Sequence, residues 1–152
     1  LELASEEDVC KKELPEQTFM TDKNIGKRIL LAEDNELNAE IAMELLKEKG
    51  FLIDWVKDGQ ECFYKLEEAD EGYYDLILMD IQMPILNGYD TTAKIRQMEN
   101  PKKASTPIVA MTANAFEEDI AMAQKVGMNG FIAKPLDAEK MFTILKQSIV
   151  EN

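Results

Sequence analysis

With 152 residues the chain can build one domain with a proper core and, at about 150 residues per domain, has little room for a second. The composition, 45% hydrophobic and 31% charged, is that of an ordinary globular protein, and no apolar run approaches the roughly 20 residues of a membrane span. Against 17 basic side chains stand 30 acidic ones, and the formal charge of -13 repels phosphate backbones and disfavours direct nucleic-acid binding.

The cysteines, Cys10 in a polar N-terminal stretch and Cys62 in a predicted helix, form no CxxC pair, so neither a disulfide framework nor a zinc site is supported and a reducing, cytoplasmic setting fits. There is no histidine. Imidazole-ligated zinc, Ser/His/Asp or Cys/His catalysis, and phosphohistidine on this chain are therefore excluded. Chemistry must come from carboxylates, hydroxyls, lysines and a hard metal. Residues 1–25 are acidic and mixed, with Pro15 and no sustained period, and read as a linker or poorly ordered tail; 26–152 read as the folded domain. Leu1 in place of Met suggests a fragment or a processed chain.

From Arg28 the texture changes. "RILLAED" reads as a short buried strand, and the helix after it, "NELNAEIAMELLKEKG", puts Leu37, Ile41, Ala42 and Leu45 on one face, with Gly50 as its stop. "FLIDWV" is the second strand, "GQECFYKLEEA" a helix with Cys62, Phe63 and Leu66 inward, and "DLILMD" the third strand. A loop with Pro84 and Gly88 leads to a helix near Tyr89 to Gln97. "TPIVAMT" is a fourth strand, "AFEEDIAMAQKVG" a helix stopped at Gly127, and "GFIAKP" a short fifth strand. The last helix starts at Asp137 as N-cap and carries Ala138, Met141, Phe142, Leu145 and Ile149 at helical spacing. Strict strand-helix alternation implies a doubly wound α/β fold: a five-stranded parallel sheet in the flavodoxin-like order 2-1-3-4-5, with helices on both faces.

Ligands of such sheets bind outside the carboxyl ends of the strands. Strand one ends with Glu33 and Asp34, strand three with Asp80, strand four with Thr112, and strand five with Lys134 and Pro135; strand two offers no such group. Singly, each has a structural explanation, as a helix cap, a turn residue or a solvated lysine. Together, three carboxylates, a hydroxyl and a lysine on one sheet edge are a site. Crowded carboxylates need a cation, and all-oxygen ligation selects magnesium, manganese or calcium. Magnesium completes its octahedron with phosphate oxygens, for which Lys134 and Thr112 would supply a charge and a donor.

These residues resemble the receiver domain of two-component response regulators. The likeness covers Lys27 to Val150 and is carried by "LLAEDN", "DLILMDIQMPILNGYD", "IVAMTANAF" and "GMNGFIAKP" in order and spacing. It implies that Asp80 accepts a phosphoryl group from a histidine kinase phosphohistidine. It further implies that magnesium, or alternatively manganese, is held by Asp34 directly, by Glu33 through water, by Asp80 and by the Gln82 carbonyl. Lys134 would pair with the phosphoryl oxygens and precede a cis bond to Pro135. Thr112 and Phe131 would be the switch pair, and Gln82 and Asn114 would tune the lifetime of the acyl phosphate.

"AEDNELNAEI" and "MTANAF" with "GMNGFIAKP" look most like receivers of hybrid sensor kinases, with Asn38 part of that flavour. The implied partners are a sensor histidine kinase, in cis or trans, and a histidine phosphotransfer protein, with no membrane contact by this chain beyond a tether through such a kinase. Only one helix follows Lys134 and no output domain, so the signal would leave through contact or onward transfer. Such a domain catalyses its own phosphorylation and dephosphorylation rather than acting as a conventional enzyme. Two rivals remain: a receiver-like binding module that is not phosphorylated, and an aspartyl-nucleophile phosphatase, which would want an acid where Gln82 stands.

Overall fold

The computed structural model describes residues 26–113, 116–134 and 136–150. The leader 1–25, Asn114, and Pro135 with its expected cis bond lie outside the described residues. Among the described residues five strands and five longer helices alternate: β1 (Arg28–Ala32), α1 (Glu36–Glu48), β2 (Leu52–Val56), α2 (Gly59–Glu68), β3 (Leu76–Asp80), α3 (Gly88–Arg96), β4 (Ile108–Thr112), α4 (Glu117–Val126), β5 (Gly130–Ala133) and α5 (Ala138–Val150). The sheet is parallel throughout, in the order β2-β1-β3-β4-β5 that the alternation predicts.

Because side chains alternate across a strand, the central strands feed two cores. Leu30, Ala32, Ile77, Met79, Ile108 and Ala110 point to one face, where Cys62 and Leu66 of α2, Ile95 of α3 and Ala123 of α4 cover them. Ile29, Leu31, Leu76, Leu78, Val109 and Met111 point to the other, against Ala39, Ala42 and Leu46 of α1 and Met141 and Leu145 of α5. Leu76 to Met79 are fully buried, which is why that stretch reads as an unbroken apolar run; each such side chain stabilises the fold by about 1.5–3 kcal/mol relative to exposure.

Helix starts follow their caps. Asn35, Asp58 and Asn87 accept a bond from the backbone N–H three residues on, at the heads of α1, α2 and α3. Asp137 does the same for α5, accepting from Glu139 and Lys140. Gly127, at φ 105, ends α4 in the left-handed region.

Two sequence expectations are corrected. On α1 the face that meets the sheet is Ala39, Ala42 and Leu46, whereas Leu37 and Ile41 are 65% and 45% exposed. The buried stripe runs through Ala39, Ala42 and Leu46, and Leu37 and Ile41 lie off it, turned out beside the carboxyl ends of the strands. A single helical turn, Pro101–Ala104, interrupts the connection to β4; its signal was Asn100 as cap with Pro101 in the first turn.

Candidate functional site at the carboxyl ends of the strands

β1 and β3 run side by side, and the first residues past their paired ends carry the acids. The chain leaves β1 through Glu33 and Asp34 and turns into α1 at Asn35. Glu33 is 1% exposed and Asp80, the last residue of β3, is 5% exposed, while Asp34 faces solvent. One carboxylate oxygen from each of Glu33, Asp34 and Asp80 lies within 4.8 Å of the others.

From the far side of the sheet β5 delivers Lys134. Its Nζ donates to Glu33 Oε1 at 3.0 Å and lies 3.6 Å from Asp80 Oδ1. Its backbone N–H donates to the Thr112 carbonyl at 2.8 Å, tying the lysine to the end of β4. The Thr112 hydroxyl-bearing side chain is buried at that end. Phe131, paired in register with Ala110, is half-buried and packs on the core beneath α4. Gln82 is exposed in the loop after Asp80, and its N–H donates to Asp80 Oδ1 at 3.3 Å.

That loop closes tightly. Gly88 N–H donates to the Ile81 carbonyl at 2.8 Å, and a Cβ at Gly88 would stand 2.8 Å from the Asp80 carbonyl oxygen and 2.9 Å from Ile81 Cα. Glycine is thus what lets α3 begin directly against the backbone of Asp80. Within the same loop Ile85 adopts φ 69, a left-handed conformation unusual for a β-branched residue, with its side chain 74% exposed.

Burial is the largest influence on the Asp80 carboxyl and pushes it up to about 7. The Glu33 charge and a side-chain hydrogen bond with Glu33 push the same way, whereas Lys134 and the Gln82 N–H pull it down. One ammonium does not neutralise this cluster. The donor set is all oxygen, its ligand atoms are close enough to converge on one ion, and its negative charge is in excess, so Glu33, Asp34 and Asp80 suit a hard divalent cation.

One contributor was missed by the sequence reading. β2 does reach the site: the Trp55 indole N–H donates to the Glu33 carbonyl at 2.8 Å. A tryptophan on an edge strand carries no pattern that would announce such a bond.

Comparison with known proteins now gives the family. The model of the response regulator receiver domain matches residues 29–146. The chain is 39% identical over 130 residues to the osmosensing histidine protein kinase SLN1 of Saccharomyces cerevisiae and 35% identical over 127 residues to hybrid signal transduction histidine kinase I of Dictyostelium discoideum. These matches cover 83% and 82% of the chain but only 10% and 7% of the kinases. Among solved structures, the receiver domain of a sensor histidine kinase from Pseudomonas aeruginosa is 37% identical with a TM-score of 0.74. That likeness covers 82% of this chain and 98% of that one, whose crystal structure has a magnesium ion coordinated in the active-site cleft.

The protein belongs to the response regulator receiver domain family.

Proposed function

We propose that Asp80 accepts a phosphoryl group from the phosphohistidine of a sensor kinase, attached in cis or acting in trans, and that residues 26–152 are the receiver domain that performs this step. The observation that carries the reading is the convergence at the carboxyl ends of the strands of the Glu33, Asp34 and Asp80 carboxylates with the Lys134 ammonium, which contacts both Glu33 and Asp80.

In the transfer an Asp80 carboxylate oxygen attacks phosphorus, the P–N bond to the donor imidazole breaks, and the imidazole leaves with the electron pair and picks up a proton. Magnesium, held by Glu33, Asp34, Asp80 and the Gln82 carbonyl, would supply charge neutralisation for the phosphoryl oxygens; manganese satisfies the same donors. Lys134 pairs with those oxygens, and the buried Thr112 hydroxyl is the donor that follows them. Phe131 then repacks beneath α4, so the surface of α4 and β5 reports occupancy by a population shift. Gln82 and Asn114 tune the lifetime of the acyl phosphate.

The exposed Leu37 and Ile41 support a docking role beside the site. Ile41 joins Asn38, Lys134 and Leu136 around a cavity of about 220 Å³, an apolar rim for the partner that presents the imidazole. The same rim suits a histidine phosphotransfer protein receiving the group onward. No helix among the described residues is long and apolar enough to cross a membrane. A cytoplasmic location, free or tethered through a kinase, goes with this reading, as does the absence of nucleic-acid contact for a chain of charge -13.

Intact mass after incubation with magnesium and acetyl phosphate tests it. Wild type gains one phosphoryl group, while Asp80→Asn and chelated wild type gain none. Equal labelling of wild type and Asp80→Asn rejects Asp80 as acceptor, and no labelling of either favours a binding module that is not phosphorylated.

A further inference from the structure

We propose that Trp55 is a positioning residue for the metal-binding acids, its indole holding the β1–α1 turn in the shape that presents Glu33 and Asp34 to a divalent cation. The inference rests on the receiver reading of that site.

The β1–β2 ladder runs from Arg28 opposite Leu52 to Ala32 opposite Val56, and its last backbone bond is from Glu33 N–H to the Val56 carbonyl at 3.1 Å. Where the next rung would come, β2 has already turned toward α2. The Trp55 side chain, rooted opposite Leu31, reaches forward and supplies that rung from its ring, donating to the Glu33 carbonyl at 2.8 Å. Glu33 is thereby held at every polar group: its N–H by Val56, its carbonyl by Trp55, and its two carboxylate oxygens by Lys134 Nζ and the Asn35 N–H, at 3.0 and 3.1 Å. Asp34 lies between two residues fixed in this way, Glu33 and the α1 cap Asn35.

The ring is itself fixed. It packs against the α1 side of the core and is covered by the Lys57 ammonium, 5.5 Å from its centroid. The backbone N–H of Lys57 is in turn held by Glu61 Oε1 at 2.9 Å, so the anchor runs back into the first turn of α2. Three like charges held together before the cation arrives require a stiff frame, because the free turn would splay them apart. A hydrogen bond to a ligand's own backbone is such a frame, and loss of comparable outer contacts weakens metal sites.

Trp55→Phe keeps an aromatic ring and deletes the N–H. Calorimetric titration of magnesium into both proteins reads the consequence, alongside thermal unfolding in chelator to establish that the variant is folded. A folded Trp55→Phe that binds magnesium about three- to tenfold more weakly than wild type bears the proposal out; equal affinity overturns it.

A second readout leaves Trp55 in place. Trp55 is the only tryptophan, so wild type has one indole N–H resonance. That resonance shifts with the same midpoint as metal occupancy and is unmoved by magnesium in Asp34→Asn. A resonance that stays in place at saturation shows that the ring only packs. If wild type itself takes up no magnesium, the receiver reading and this inference fall together, whereas wild-type binding with an indifferent Trp55→Phe removes the inference alone.

Discussion

α2 and α3 cover the same face of the sheet as α4, yet the two regions are built on opposite terms. The α2–α3 contact is interlocked: a Cβ on Gly59 would run into both the Thr91 hydroxyl and the Leu86 carbonyl, and the Lys94 ammonium sits 4.6 Å over the Phe63 ring. Cys62, Leu66, Thr91, Thr92 and Ile95 are buried along it. α4 buries only Ala123, and its N-cap residue, Phe116, makes no side-chain cap bond and is 64% exposed.

The first turn of α4 is tied by the Tyr89 hydroxyl, which donates to the Asp119 carbonyl at 3.3 Å, and the stronger hold is at its far end. Arg96 donates twice to the Gly127 carbonyl, at 2.9 and 2.7 Å, and once each to the Ala104 and Thr106 carbonyls and Asn129 Oδ1. The helix is pinned at its C-terminus and lightly held beside Thr112. The surface proposed to respond to Asp80 thus falls on the helix of this face that buries least, while the loop after Asp80 leads into the closely packed α3.

The sharpest way to break this contrast is Gly59→Ala. If α2 and α3 are interlocked, the added methyl forces them apart at a loss of about 3 kcal/mol in urea unfolding; near-wild-type stability would mean the interface is as adaptable as that of α4. Arg96→Met comes next, costing about 2 kcal/mol, with hydrogen exchange quickening first in the second half of α4. Uniform quickening over α2, α3 and α4 would deny it the role of a local pin. The smallest effect is a gain. Phe116→Ser supplies the cap oxygen that Phe116 lacks and stabilises the start of α4 by about 0.5–1 kcal/mol, read as slower exchange there and unchanged exchange in α2. No slowing would show that this end is already held.

The sheet and its order were legible because every strand is a short apolar run followed by a helix with a cap or glycine stop. "DLILMD" could hardly be placed elsewhere than in the middle. The acids at 33, 34 and 80 followed from where those strands stop. Harder to read was anything that depends on how closely two elements approach. Helical periodicity groups Leu37 and Ile41 with Ala42, yet the stripe that meets the sheet is Ala39, Ala42 and Leu46, rotated from the one the pattern suggests. The indole bond of Trp55 and the Gly59 contact join residues from neighbouring elements through side-chain reach and backbone proximity, for which the local pattern has no symbol.

The lysine that closes the site is separated by 101 residues from the glutamate it meets. β1 and β3, which carry the acids, are the central neighbours of the sheet, and β5 is the last strand to be made and its outermost edge. The chemistry proposed at Asp80 therefore draws on both the middle and the edge of the sheet, its acids coming from the central strands and its ammonium from beyond β5.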